Sequence, residues 1–253
     1  RGLAVWGVDT VPLSFAKVKF AYGVASSKQH HVFHGISRSF PQGRLYGFIG
    51  EKHCGKATLL KLLGQVLLPD ADCQIFVPPH LRILHVSREA KITNQPLLKN
   101  VTFDQSMERV GGIERVRFIC EATGFQPKLL DELEQQECIA GVAQQSWVDH
   151  MSMTDYARLN LARALVQNPE CLVMHMPFQA FTAAEGIRLM ALLRQHVRER
   201  GIGFPHESRQ HRRLRTAFVS LSHNDLYREA DNIYEVTPVD GLVPISIDRK
   251  SRK

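Results

Sequence analysis

Apolar and polar positions alternate from Val18 to Tyr22 and again from Val32 to Phe40, with the polar, glycine-bearing stretch Gly23 to Gln29 between them and Pro41-Gln42-Gly43 at the end. Alternation bounded by turn residues predicts two strands of an antiparallel hairpin. Leu45 to Ile49 are a short apolar strand and Gly50 to Lys56 a loop, and from Ala57 to Val66 the residues Leu59, Leu60, Leu62 and Leu63 fall at helical spacing. Leu81 to Val86 predict a further strand. Leu97 to Ile139 lack alternation and are interrupted by Gly111-Gly112 and Gly124 to Pro127, which predicts several short helices gathered in a helical subdomain. Thr154 to Gln167 predict a helix stopped by Asn168-Pro169, and Cys171 to Met174 a buried strand. A helix is expected from Ala183 to Arg200, then a parallel-type strand from Thr216 to Leu221 ahead of Ser222-His223. Ile233 to Val236 and Leu242 to Ile247 are expected to pair at a sheet edge. Strand and helix in alternation point to an α/β core.

Composition narrows this modestly. With 253 residues, 44% hydrophobic and 23% charged, the chain has a globular make-up, which excludes disordered, collagen-like and disulfide-scaffold classes. Its net charge of +7 favours anionic partners such as nucleotides, nucleic acid or acidic headgroups. No apolar run approaches the roughly 18 to 20 residues of a spanning helix, so the segment itself is expected to be soluble. Its start at Arg1 suggests a domain of a longer protein. Cys54, Cys73, Cys120, Cys138 and Cys171 are odd in number and lack metal-type spacing, which suits reduced thiols. Arg198 to Arg215 is dense in arginine, carries Gly201, Gly203 and Pro205, and reads as a basic loop.

The strongest chemical signal is Gly50-Glu51-Lys52-His53-Cys54-Gly55-Lys56, which follows the phosphate-loop pattern through its lysine and lies between strand and helix. Glycines permit the tight backbone path, loop N–H groups and the helix N-terminus face the phosphates, and Lys56 reaches the terminal ones. The pattern then breaks. Ala57 stands where a Ser or Thr hydroxyl would ligate magnesium, and Thr58 lies one position too far round the helix to replace it. A thiol at Cys54, beside a helix N-terminus, is a candidate for alkylation that bound nucleotide would block.

From about Leu13 to Ile247 the chain resembles the nucleotide-binding domain of ATP-binding cassette (ABC) proteins. Phe20-Ala21-Tyr22 resembles the aromatic A-loop, which puts Tyr22 against adenine. Met151-Ser152-Met153-Thr154-Asp155 occupies the place of the family's Leu-Ser-Gly-Gly-Gln signature, and Arg158 to Leu165 match the helix after it. Ser152 keeps the motif's hydroxyl, while Met153 and Thr154 add side chains where the family's glycines allow close approach to a γ-phosphate. Leu172 to Pro177 fall on the Walker B strand: His175 replaces the magnesium-organising Asp, and Met176 replaces the Glu that polarises water. A thioether is no general base. Arg88 stands at the Q-loop glutamine, where a cation could contact phosphate oxygens, and His223 matches the switch histidine.

The resemblance implies an α/β P-loop NTPase core with a mixed, largely parallel sheet, an antiparallel β subdomain and a helical subdomain. Residues 1–253 would form one nucleotide-binding domain, with the core at 13–88 and 156–247, the helical part at 89–155 and a basic insertion at 198–215. It implies ATP as ligand without ordinary magnesium geometry, and weak or absent hydrolysis. The implied partners are a second ABC nucleotide-binding domain and a transmembrane domain in the same chain or complex, on the cytosolic face of a membrane. Asn100-Val101-Thr102-Phe103, with Phe20-Ala21-Tyr22, most resembles exporters, and there is no room for a long coiled-coil insertion between Arg88 and Met151. The alternative is a cassette-derived scaffold that contacts protein or RNA through Arg209, Arg212, Arg213 and Arg215. Asp155 and Glu185 are the carboxylates that a hydrolase with unorthodox residues would have to use.

Overall fold

The computed structural model describes residues 10–23, 30–70, 72–138, 147–149, 151–222 and 224–246. The turn expected between the first two strands, the end of the last strand beyond residue 246, and His223 lie outside the described residues.

Two sheets carry the fold. β1 (Leu13–Tyr22) pairs antiparallel with β2 (His30–Phe40), as the alternation predicts. On its other edge β1 pairs with β4 (Gln74–Phe76), giving the order β2-β1-β4. β4 was not expected, because three residues leave too little pattern to read. The second sheet has the order β5-β6-β7-β3-β8-β9, formed by β3 (Leu45–Ile49), β5 (Ile83–Val86), β6 (Cys171–Met174), β7 (Thr216–Ser220), β8 (Asn232–Thr237) and β9 (Gly241–Ile245). All its pairings are parallel except β8 with β9.

Its inner strands β3, β6 and β7 are buried on both faces, and successive residues there and in β8 divide between two cores, as the pleat requires. Leu45, Leu172, Met174, Ala217, Val219 and Ile233 join the cluster built with α6 (Met153–Gln167) and α7 (Ala183–Arg198). Tyr46, Cys171, Val173, Phe218, Tyr234 and Val236 face the antiparallel sheet and α1 (Lys56–Leu63). Phe40 of β2 presents its edge to Tyr46, Phe218 and Tyr234, with centroid separations of 5.4, 5.4 and 6.0 Å. That favoured edge-to-face geometry locks one sheet to the other.

Between β5 and α6 run α2 (Leu97–Thr102), α3 (Met107–Val110), α4 (Ile113–Thr123) and α5 (Pro127–Cys138), the short helices that the glycine interruptions predict. α1 ends at Leu63 rather than Val66, because Gly64 caps it and Gln65 takes a positive φ of 56°. Arg198 to Arg215 is not a loose basic loop. It contains a 3-10 helix at His206–His211, and most of its guanidinium groups bond to local carbonyls. Arg209 donates to Arg198 O, Arg212 to Glu199 O and Pro205 O, and Arg215 to Arg213 O and to Asn168 Oδ1. Arg200 and Arg215 are buried.

Candidate functional site

The chemistry expected from the sequence converges at the C-terminal edge of the parallel strands β3, β6 and β7, the usual ligand edge of an open α/β sheet. After β3, the loop at 50–55 leads straight into α1. Two of its glycines are required by packing. Gly50 has φ 138°, and a Cβ there would meet Val236 O at 2.6 Å and Cys54 Sγ at 2.8 Å. Gly55 has φ 99°, and its Cβ would meet Val32 Cγ1 at 2.7 Å and the Phe33 ring at 2.8 Å. Glu51, Lys52 and His53 are exposed at the tip, with His53 at a left-handed φ of 66°.

No side chain caps α1, so its first N–H groups are free of a side-chain acceptor. Lys56 folds back on the loop, with Nζ donating to Gly50 O at 2.7 Å and Glu51 O at 2.6 Å and lying 3.4 Å from Cys54 Sγ. Cys54 is buried, so alkylation requires the loop to open. Uncapped amides, a lysine and a cradle that a Cβ would fill suit a phosphate chain.

Tyr22, at the end of β1, is 42% exposed and turns toward α1: its hydroxyl lies 3.1 Å from Thr58 Oγ1. Thr58 is buried in this contact and Ala57 offers only a methyl group, so the helix gives no hydroxyl at the magnesium position.

One strand separates β3 from β6, and that strand, β7, supplies a residue the sequence reading missed. Ser220, the last residue of β7, accepts the Met176 N–H at 2.7 Å and lies 2.9 Å from His175 Nδ1. Only the sheet order reveals this, since Ser220 is remote in sequence. Met176 has φ 49°, an unfavourable left-handed conformation for a residue with a Cβ. Burial, and then the positive charges of Lys56 and Arg88 with those of His85 and Lys61, hold the His175 imidazole below the usual histidine range. His175, Met176 and the exposed Arg88 help line a cleft of about 740 Å³ with Met153, Tyr156 and Asn160 of α6.

Magnesium does not fit this donor set. A hard cation wants several oxygen ligands, whereas these positions hold a methyl group, an imidazole among cations, a thioether and a guanidinium. Of the carboxylates near these positions, Asp155 and Glu185 are engaged elsewhere and Glu89 is an exposed residue of the cleft rim. Ser152 and Asp155 form a capping box at the start of α6, Thr182 and Glu185 form another at α7, and Arg158 joins the two through ion pairs of 2.9 and 2.8 Å. Thus Ser152 Oγ, expected to contact phosphate, accepts the Asp155 N–H and donates to Asp155 Oδ2. Met153, beside it, is 79% exposed.

The family model described as ABC transporter matches residues 33–179. A putative export ATP-binding/permease protein of Rickettsia bellii is 26% identical over 74% of this chain, and an aliphatic sulfonates import ATP-binding protein, SsuB, of Pseudomonas putida is 25% identical over 76%. The chain spans 32% of the first and 64% of the second. Among solved structures, the dimeric ATP-binding cassette MJ0796 bound to ADP and Pi aligns with a TM-score of 0.68 at 15% identity, covering 93% of this chain and 99% of that one. The sheet order, the strand–loop–helix at Gly50 to Lys56 and the family match together place this chain in the ABC transporter family, as its nucleotide-binding domain.

Proposed function

We propose that this domain binds ATP at the β3–α1 loop and signals occupancy to a transmembrane partner with negligible hydrolysis of its own. The observation that carries the reading is the contrast at one sheet edge between an intact phosphate cradle and a β6 end with neither carboxylate. Lys56 leaves Gly50 O and Glu51 O for the phosphates, loop amides hold the chain of oxygens, and Tyr22 supports adenine. Met176 has no lone pair basic enough to take a proton from water. A second ABC nucleotide-binding domain completes the composite site, and the assembly sits on the cytosolic side of a membrane.

Support for the membrane partner comes from α2. Asn100 is buried and bonds Thr93, Gln95, Pro96 and Arg163, which fixes the segment. Phe103 is left 52% exposed at its end, over the Arg163 guanidinium at 4.9 Å. A rigid base with an exposed aromatic suits docking of a transmembrane coupling segment. The resemblance of this segment favours an exporter, although the relatives include both export and import proteins. RNA contact through the basic stretch is disfavoured, because Arg209, Arg212 and Arg215 are bonded to carbonyls or to buried side chains.

The test is an ATPase assay on the purified chain together with a binding measurement. Binding of ATP without turnover above background is expected. Turnover abolished by Lys56→Ala would refute the loss of hydrolysis, and absence of ATP binding at millimolar concentration would refute the reading as a whole.

A further inference from the structure

We propose that the site takes nucleoside triphosphate as a metal-free polyanion, with a proton taken up on His175 supplying charge that a magnesium ion would otherwise carry. This rests on the ATP-binding reading above and specifies the charge form of the ligand. The first support is the misfit of the donor set to a hard cation. The second is the set of groups whose charge acts on His175, with the hydroxyl that bonds it. Lys56 and Lys61 come from α1, His85 from β5, Arg88 from the segment after β5, and Ser220 from β7. Ser87, Glu89, Tyr156 and Asn160 line the adjoining cleft. Glu89 is exposed and is the only carboxylate among them. The resulting field is positive and attracts phosphate oxygens without a bridging metal.

The third support is the hydrogen bond at His175. A serine hydroxyl can donate to neutral Nδ1 or accept from a protonated Nδ1–H, and Ser220 Oγ still has a lone pair for the Met176 N–H in either state. Protonation therefore leaves no orphaned polar group at this nitrogen. In the free domain burial, and then the field of the surrounding cations, keep the ring neutral near pH 7. A bound polyanion reverses that field and favours the imidazolium. The linkage sign follows: if binding raises the pKa of His175, affinity rises as pH falls from above the bound value toward the free value, up to ten-fold per pH unit. Solvent supplies the proton, and no bond other than N–H is formed.

The experiment is calorimetric titration of ATP into the full chain with EDTA, then with magnesium, at pH 6, 7 and 8. The expected result is binding in EDTA that tightens about ten-fold from pH 8 to pH 6 and is not strengthened by magnesium. His175→Gln should flatten or reverse the pH trend, because ATP itself loses charge on acidification. The double variant Ala57→Ser with His175→Asp should gain strengthening by magnesium, a change of sign that misfolding does not produce. Tighter binding of the wild-type chain with magnesium, or a pH trend unchanged in His175→Gln, would overturn the proposal while leaving ATP binding intact. No binding under any condition would overturn both.

Discussion

The β3–α1 loop and the turn after β6 lie at the same sheet edge with only β7 between them, yet they meet very different constraints. The first is built from main chain. Its glycines answer to packing, since a Cβ on Gly50 would strike the backbone of β8 and a Cβ on Gly55 the side chains of β2. The second is built from side chains, and the fold accepts an imidazole and a thioether there while Ser220 bonds the His175 ring and the Met176 main-chain N–H. A site made of backbone survives as long as the domain folds, whereas one made of carboxylates is lost by two substitutions that leave the sheet intact. Intact glycines alone are therefore weak grounds for nucleotide binding. Lys56, which no packing demands, is the stronger one.

The largest expected effect breaks the first half of the comparison. Gly55→Val adds bulk into Val32 and Phe33 at φ 99° and should cost about 3 kcal/mol of stability, from left-handed strain and overpacking together. Urea denaturation reads this directly, and a cost under about 0.5 kcal/mol, the usual range for unstrained surface changes, would show the glycine to be dispensable to folding. Lys56→Ala comes next and separates folding from ligand. Its stability should fall by about 1 to 2 kcal/mol, through the lost bonds from Nζ to Gly50 O and Glu51 O, well short of the cost at Gly55, while ATP affinity drops on the order of ten- to a hundred-fold, the worth of a charge-assisted contact. Equal affinity in wild type and variant would place the phosphates elsewhere.

Most of the scaffold was legible in advance because buried parallel strands and amphipathic helices carry strong local patterns. β3 and β6 coincide with their apolar runs, and α6 starts one residue before the expected Thr154. What could not be read depends on neighbours remote in sequence. Ser220 is a plain strand serine until β7 is seen between β3 and β6. Ser152 carries a motif hydroxyl, but whether it faces a ligand or caps its own helix depends on the rotamer chosen. Arg209 and Arg212 look like a solvated basic strip, yet they are turned onto carbonyls near the end of α7. Charge was visible in the sequence, and its direction was not.

The start of α6 extends the comparison to a third turn, where side chains again serve the fold. Ser152→Ala should cost about 1 kcal/mol through loss of the capping box. Burial raises the Asp155 pKa, but the Ser152 hydroxyl and N–H and then Arg158 lower it by more, leaving a net depression. A depressed carboxylate adds stability above its unfolded value, about 3.9, that is lost as pH falls through the folded value. Thermal melts of the wild-type chain should therefore fall more steeply below about pH 4 than those of Asp155→Asn. Parallel curves would mean that the bonds of Asp155 to Ser152 and Arg158 do not favour its charged form.

The smallest effect is the most direct measure of the difference between the two turns, because each contains one non-glycine residue in left-handed backbone: His53 at φ 66° and Met176 at φ 49°. His53 is exposed at the loop tip, so His53→Gly relieves strain and loses little packing, for a gain of about 0.5 to 1 kcal/mol. Met176 is half-buried against the cleft, so the same relief in Met176→Gly is offset by lost contact area, at about 25 cal/mol per Å², and the net should lie close to zero. The Met176 N–H bond to Ser220 does not depend on the side chain and should persist in both variants. Chemical denaturation of the two variants side by side tests the ordering. If Met176→Gly proved the more stabilising, the thioether would not be packed to any benefit, and the end of β6 would carry uncompensated strain.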